Sequence, residues 1–100
     1  MNALIIHPSD NVAVVTAPVR AGDEVCCLRQ GQEVCLAALE DIPCYHKIAL
    51  CDIPAGQAVI KYAHPIGVAT VPITKGAYVH RHNVVSPGVV SPGQNTEVRS

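Results

Sequence analysis

Two segments of the chain carry the side chains best suited to chemistry. Residues 80–83 read His-Arg-His-Asn, and His46-Lys47 occurs earlier in the chain. A neutral imidazole ligates metal ions and exchanges protons near neutral pH, while a lysine ammonium binds carboxylates. The sequence therefore offers metal-ligating, proton-transferring and anion-binding groups at two places.

His80 and His82 lie two positions apart. On a β-strand this spacing places both rings on one face, within reach of a single ion. We therefore predict a strand over 78–82 that presents His80 and His82 as metal ligands and Asn83 as a substrate-binding amide at its end. Two histidines alone rarely hold a catalytic metal, so the alternative is a pair of solvated strand residues.

His46 and Lys47 are candidate catalytic residues, because an imidazole can transfer a proton and an ammonium can neutralise a carboxylate. Lys61, near the end of the next predicted strand, is a candidate substrate-binding residue. The alternatives are a solvated turn at His46-Lys47 and, for Lys61, a lysine at a sheet edge whose alkyl stem packs on apolar surface.

A repeated unit determines where these residues stand in the fold. It consists of a small apolar residue, then Val or Ile, then Gly three positions later, then Val three positions after that. Its copies are Val15, Val19, Gly22, Val25; Ala49, Ile53, Gly56, Val59; and Ala69, Ile73, Gly76, Val79. We expect the Gly of each copy to adopt a positive φ. The third copy ends directly before His80.

Short apolar runs separated by Gly or Pro turns predict an all-β fold, a compact barrel or folded sheet without helices. Strands are expected over 3–6, 12–16, 24–28, 46–51, 58–62, 68–71 and 78–82. The run over 34–39 is compatible with a strand or with one helical turn.

The last residues differ from the rest of the chain. Val-Val-Ser-Pro-Gly occurs twice in succession from Val84, and a polar segment follows. The density of Pro and Gly indicates an extended or disordered tail, or an arm whose Val pairs dock on another subunit. We therefore divide the chain into a β domain over 1–83 and a Pro/Gly-containing C-terminal tail over 84–100.

Composition excludes several classes of function. The 100 residues include 7 Lys and Arg against 8 Asp and Glu, without a basic run, which argues against nucleic-acid binding. No apolar stretch approaches the roughly 20 residues that span a bilayer, and the first residues do not resemble a signal peptide. We therefore expect a cytoplasmic protein without a membrane partner.

Five cysteines fit this location, because an odd number without a C-x-x-C spacing is not typical of a disulfide framework or a zinc ribbon. We expect buried or half-buried free thiols. Cys26 and Cys27 are neighbours, so a strand would direct them to opposite faces.

Four motifs in the centre of the chain resemble one family when taken together. They are Ile42-Pro-x-x-His46-Lys47-Ile-Ala-Leu50, Asp52-Ile53-x-x-Gly56-x-x-Val59-Ile60-Lys61-Tyr62, Pro65-Ile66-Gly67-x-Ala69-Thr70 and Ile73-x-x-Gly76-x-x-Val79-His80-x-His82-Asn83. The chain resembles the small SAF-type β-clip module of the altronate/galactarate dehydratases. This module is fused to a large catalytic domain in some members and is a separate chain in others, including the two-subunit sulfolactate sulfo-lyases. Because this chain stops where the large domain would begin, it resembles the separate small subunit.

The resemblance implies a β-clip fold and a role as the small subunit of a metal-dependent hydroxy-acid lyase, a dehydratase or sulfo-lyase. Such an enzyme eliminates water or sulfite from a sugar acid or related 2-hydroxy acid and yields a 2-keto acid, together with a large catalytic subunit. It also implies a divalent metal, with Fe²⁺ expected, whose ligands can lie largely on the large subunit. The residues that match the family motif are His46, Lys47, His80, His82 and Asn83.

The chain departs from the family pattern at three positions. Tyr45 and Ala63 stand where the family usually has Gly, and Gln57 stands where it often has an acidic residue. We expect these departures to affect substrate identity more than fold, because Tyr45 would narrow the space near His46.

Two other functions compete with the lyase subunit. The first is a non-catalytic β-clip binding or assembly module, in which the histidines are surface features or an anion site, since fold alone does not determine function. The second is a standalone regulator that binds a metal or a sugar acid. Self-association through the Val pairs of the tail is a further expectation.

Overall fold

The computed structural model describes residues 1–86, and their regular structure consists entirely of short strands. These are β1 (Ala3–Leu4), β2 (Val12–Val15), β3 (Glu24–Arg29), β4 (Gln32–Ala37), β5 (Lys47–Ala49), β6 (Ala58–Lys61), β7 (His64–Ala69), β8 (Tyr78–Val79) and β9 (Val84–Val85). The predicted all-β fold is confirmed, and the run that was compatible with strand or helix is strand β4. Within 1–86 there is accordingly no helix of the length and apolarity needed to cross a membrane.

The strands form three antiparallel sheets in layers. A four-stranded sheet has the order β1-β2-β5-β8, β3 and β4 form a hairpin, and β6, β7 and β9 form a three-stranded sheet. Successive residues along a strand of the four-stranded sheet face opposite sides of the sheet, and each side packs against its own apolar cluster. Ala13 and Ile48 belong to the first cluster, and Val12 and Ala49 belong to the second. The hairpin covers the first cluster and the three-stranded sheet covers the second, which makes the four-stranded sheet the middle layer.

The repeated unit forms tight turns with the expected backbone. Gly22, Gly56 and Gly76 have φ values of 93°, 87° and 91°, as predicted. The structure adds a fourth copy, Ala38, Ile42, Tyr45 and Ile48, in which Tyr45 takes the place of Gly with a φ of 68°. Because the third position of this copy is Tyr and not Gly, the sequence pattern of the repeat does not identify it.

The four copies associate in two pairs. The N–H at the third position of each copy donates to the carbonyl of the first residue in the paired copy. These bonds run from Gly22 to Ala38 (2.8 Å), Tyr45 to Val15 (2.7 Å), Gly56 to Ala69 (2.8 Å) and Gly76 to Ala49 (2.9 Å). Isolated bridges Val19–Ile42 and Ile53–Ile73 join the second positions in the same pairs. The repeat is therefore the hydrogen-bonding frame of the fold.

The predicted strand over 78–82 is wrong beyond Val79, because residues 80–83 form a turn. The Asn83 N–H donates to the His80 carbonyl (3.1 Å), and the Asn83 Oδ1 accepts the His80 N–H (3.0 Å). Asn83 Nδ2 also donates to the Tyr78 carbonyl (2.9 Å). These local bonds satisfy backbone groups that a continuing strand would offer to a neighbour. Strand alternation therefore does not apply to His80 and His82.

The chain remains in the fold after this turn. Val84 and Val85 form β9 and pair with Ala69 and Val68 of β7. Residues 87–100, including the second Val-Val-Ser-Pro-Gly copy, lie outside the described residues, so the division at residue 83 stays a prediction.

The expectation of free thiols is wrong for two of the five cysteines. Cys26 and Cys35 lie directly opposite each other on β3 and β4 and form a disulfide. Cys27 points to the other face of β3 and is buried, as the alternation predicted. Cys44 and Cys51 are free thiols. The sequence did not reveal the bond because it depends on hairpin register.

Candidate functional site

Antiparallel pairing of β5 with β8 brings the two histidine segments together. Lys47 lies opposite Val79, and Ile48 lies opposite Tyr78. One step beyond this register places His46 against His80, and their ring centroids are 4.9 Å apart. Two segments that are distant in sequence thus contribute to one cluster at the end of this strand pair.

Tyr78 stands at the centre of that cluster, which we call the histidine cluster: His46, Tyr78, His80 and His82. The Tyr78 ring stacks on His80 with centroids 5.5 Å apart and an interplanar angle of 8°. It also lies 5.5 Å from the ring of His46 and 5.4 Å from that of His82. Tyr78 was not among the predicted site residues, although its position two residues before His80 was a usable signal.

The Tyr78 hydroxyl forms a hydrogen bond with one ring nitrogen of His46. The distance between Tyr78 Oη and His46 Nδ1 is 2.6 Å, a short hydrogen bond in which either atom can donate. Both side chains are half-buried. Because this bond engages Nδ1 in either direction, Nε2 is the nitrogen that His46 has available for another group.

Lys47 lies on the other side of the strand from His46, because successive residues of an extended segment point to opposite faces. It is half-buried and lines an open groove of about 210 Å³. The remaining lining residues are Ile66, His80, Arg81, Val84 and Ser86. His80 thus belongs to the histidine cluster and also borders the groove, which combines cationic side chains with an apolar wall.

The environment disfavours charge on two groups of the groove. Burial lowers the pKa of Lys47 below its ordinary 10.5, and the positive charge of Lys61 lowers it further. Desolvation lowers the pKa of His80 below 6.5, and so do the positive charges of its neighbours, His46, Arg81, Lys47 and His82. A bound anion would reverse both effects, because an opposite charge favours the protonated forms.

The two predicted substrate-binding residues lie outside the lining of the groove. Lys61 stands on β6, where its ammonium nitrogen is 5.0 Å from the centroid of the Tyr62 ring. Asn83 is buried, and its amide bonds to the backbone of His80 and Tyr78. The structure gives Asn83 a positioning role in the turn, and a contact of either residue with substrate stays a prediction.

The histidine cluster does not fit a complete metal site built from this chain's described residues. Within 1–86, one group of three or more His, Cys, Asp or Glu has its ligand atoms within 4.8 Å of one another, and it comprises Glu24, Cys26 and Cys35. His80 and His82 belong to no such group. Catalytic metal sites usually have three protein ligands, so these two histidines need further donors.

Comparison with known proteins decides the family. The model of the altronate/galactarate dehydratase SAF domain matches residues 1–87. The chain belongs to this family. The all-strand architecture of the chain agrees with its assignment to the SAF domain family. The predicted β-clip fold is confirmed.

Individual relatives include fused and separate forms of the SAF domain. The chain is 45% identical over 83 residues to altronate dehydratase of Escherichia coli, covering 83% of this chain and 16% of the relative. It is 36% identical over 84 residues to galactarate dehydratase (L-threo-forming) of the same organism, covering 82% and 15%. It is 32% identical over 84 residues to (2R)-sulfolactate sulfo-lyase subunit alpha of Chromohalobacter salexigens, covering 80% and 89%. The chain thus spans about one-sixth of the dehydratases but most of the sulfo-lyase subunit.

Proposed function

We propose that this SAF domain acts as the small subunit of a hydroxy-acid lyase, together with a large catalytic subunit. The reaction is β-elimination of water or sulfite from a sugar acid or related 2-hydroxy acid, giving a 2-keto acid. The observation that carries this proposal is the contact between the histidine cluster and the cationic groove through His80. Relatives named dehydratase and sulfo-lyase support the same reaction class.

In this proposal the groove binds a carboxylate of the substrate. Lys47 and Arg81 provide positive charge, and His80 provides an N–H donor beside an apolar wall. The groove is smaller than the roughly 300 Å³ at which pockets for drug-sized ligands begin, so it suits one end of a small acid. The large subunit covers the remainder of the substrate.

His46 exchanges a proton with the substrate or its leaving group. Elimination removes a proton from carbon and expels a hydroxyl or sulfite group, and a positioned imidazole can assist either transfer. The bond from Tyr78 orients the ring and leaves Nε2 to face the reacting atoms. Tyr78 is therefore a positioning residue and His46 the catalytic residue.

The proposal includes a divalent metal such as Fe²⁺, with most of its ligands on the large subunit. His80 and His82 contribute at most part of that coordination, because they belong to no group of three ligands within residues 1–86. None of the roles assigned above to Lys47, His46 or Tyr78 depends on the ion. A cytoplasmic location is part of the same proposal.

Purification of the tagged chain from its native source tests the subunit assignment. We expect a large partner in stoichiometric amount, and 2-keto acid formation from altronate, galactarate or (2R)-sulfolactate only when both chains are present. A chain that purifies alone under gentle conditions would contradict the assignment and favour the non-catalytic binding module.

Variants of the reconstituted pair test the site. His46→Ala and His80→Ala should lower kcat/KM by about 10²- to 10⁴-fold, the range of general acid–base and transition-state contributions. His64→Ala is the matched control, because His64 is exposed on β7 and is not part of the histidine cluster. Full activity of the His46 and His80 variants would show that the cluster has no catalytic role.

A further inference from the structure

A second group of metal-ligating side chains lies on the outer face of the β3–β4 hairpin. Glu24 and Cys26 are two positions apart on β3 and share a face, and Cys35 stands opposite Cys26 on β4. The ligand atoms of all three residues lie within 4.8 Å of one another. Glu24 and Cys35 are exposed and Cys26 is half-buried, so small solutes can reach the group. None of the three belongs to the proposed lyase site.

Asn2 holds this part of β3 in place. The N–H of Cys26 donates to Asn2 Oδ1 (2.8 Å), and the Asn2 N–H donates to the Cys26 carbonyl (3.2 Å). Asn2 Nδ2 also donates to the carbonyl of Glu24 (3.0 Å). Because the backbone groups of Cys26 point away from β4, Cys26 and Cys35 form a non-hydrogen-bonded pair, the arrangement in which opposite side chains are closest. Their Cα atoms are 4.1 Å apart.

We propose that Cys26, Cys35 and Glu24 form a redox-gated site for a thiophilic divalent cation of the Zn²⁺ class. In the reduced chain, two thiolates and one carboxylate bind the ion, a donor set that matches the ligand preferences of zinc. A water or a group from a partner completes the coordination. In the oxidised chain, the disulfide removes both sulfur ligands and Glu24 alone does not retain the ion.

The two states interconvert by thiol–disulfide exchange with a dithiol reductant. A thiolate of the reductant attacks one sulfur of the Cys26–Cys35 bond, and its second thiol then releases the mixed disulfide. Two electrons pass from the reductant to the two cysteines, the reductant becomes a cyclic disulfide, and both cysteines are left as thiols. Binding of the cation then displaces the two thiol protons.

Zinc titration of the full chain tests this site. The protein carries Cys44→Ser and Cys51→Ser, so that the two accessible free thiols do not contribute. Zn²⁺ is titrated against a chromophoric chelator into a dithiol-reduced sample freed of reductant, and into a sample oxidised with glutathione disulfide. We expect one additional Zn²⁺ per chain in the reduced sample. The histidine cluster is present in both samples, so the difference isolates the hairpin site.

Substitutions in the reduced sample identify the ligands. Cys26→Ser and Cys35→Ser should each weaken the additional binding by at least about 100-fold, and Glu24→Gln by about tenfold, because even groups that only orient a ligand contribute roughly 10- to 100-fold to metal affinity. Far-UV circular dichroism verifies that each variant is folded, and Glu24→Gln changes only an exposed side chain. Equal Zn²⁺ binding by the reduced and oxidised chains would overturn the proposal, as would undiminished binding by the cysteine variants.

Discussion

Three turns within residues 1–86 place side chains where the backbone favours Gly, and two of them, at Ala63 and at Tyr45, differ in how the strain is offset. Tyr62 and Ala63 have φ values of 56° and 63° in the β6–β7 connection, and Tyr45 has a φ of 68° directly before His46. The first turn is held by the buried carboxylate of Asp10, which accepts the N–H groups of Ala63 (2.9 Å), Tyr62 (3.1 Å) and His7 (3.1 Å). The second turn has no comparable side-chain clamp within residues 1–86.

From this difference we infer that the turn at Ala63 supports the fold and that the turn at Tyr45 affects the candidate site. In the first turn Asp10 accepts the N–H groups of both positive-φ residues, Tyr62 and Ala63, and these bonds offset the backbone strain. At Tyr45 a large ring is 74% exposed beside the histidine cluster, at the one copy of the repeat that lacks Gly. A residue in a strained conformation next to functional groups is often retained for function. We infer that Tyr45 shapes access to His46.

Removing the clamp should produce the largest loss of stability. Asp10→Ala removes the carboxylate that accepts three part-buried backbone N–H bonds, and each bond to this charged group contributes roughly 1 kcal/mol. We expect a decrease in the free energy of unfolding of about 3 kcal/mol, measured by urea denaturation. Asp23→Ala is the control, because the exposed Asp23 carboxylate accepts one backbone N–H (2.9 Å) and should cost about 1 kcal/mol or less. Equal losses in the two variants would contradict the clamp.

Placing a side chain in an unclamped turn should have an intermediate effect. At Gly56 a new Cβ meets no atom within 4 Å, so Gly56→Ala isolates the cost of a positive φ. We expect a loss of about 1–2 kcal/mol in unfolding free energy. Gly76→Ala is the comparison, because its Cβ would also collide with the carbonyl oxygen of Ala37, and its loss should be larger. A smaller loss at Gly76 than at Gly56 would refute this ranking.

Substitution of Gly at Tyr45 and at Ala63 should affect stability similarly in the two turns but KM in only one of them. Tyr45→Gly and Ala63→Gly should each raise the free energy of unfolding by up to about 1 kcal/mol, because Gly accepts a positive φ without steric cost. In the reconstituted enzyme, only Tyr45→Gly should change KM. A change of KM in the Ala63 variant alone would reverse the assignment of the two turns.

The pH dependence of stability gives the smallest of these signals. Burial by itself raises the pKa of Asp10, but the N–H groups of Ala63, Tyr62 and His7 and the charge of His7 bring the pKa below the ordinary 3.8. The unfolded chain therefore takes up this proton first, so the stabilisation is present above pH 3.8 and is lost as the pH falls through the folded-state pKa. We expect the stability difference between the wild type and Asp10→Asn to shrink below pH 3.8 in urea titrations. A constant difference would contradict the linkage.

Local sequence features predicted much of the fold. Turn residues and β-branched runs identified most strands, and the repeat predicted the positive φ values at Gly22, Gly56 and Gly76. Register was not accessible in this way, because it depends on which strands pair. Strand register places Cys26 opposite Cys35 and His46 next to His80. Neither the disulfide nor the arrangement of the histidine cluster was therefore predicted.

The remaining errors come from specific side-chain interactions that a pattern of residue types does not include. The side chain of Asn83 ends β8 after Val79, although Tyr78 to His82 alternates like a strand. The fourth repeat was missed because Tyr45 replaces Gly. Tyr78 was overlooked because its hydroxyl contacts His46, which lies directly before β5, and this contact depends on the pairing of β5 with β8.

The pH–rate profile of Tyr78→Phe in the reconstituted pair tests the central claim most directly. Phe keeps the ring that stacks on His80 but removes the hydroxyl bound to His46 Nδ1. We expect kcat/KM to fall by about 10- to 100-fold and the pH–rate profile to change, because His46 loses the hydrogen bond that orients its ring and engages Nδ1. Tyr62→Phe, which removes the hydroxyl of an exposed tyrosine whose ring lies near Lys61, should leave rate and profile unaltered. An unchanged rate and profile in Tyr78→Phe would contradict the proposed role of the histidine cluster.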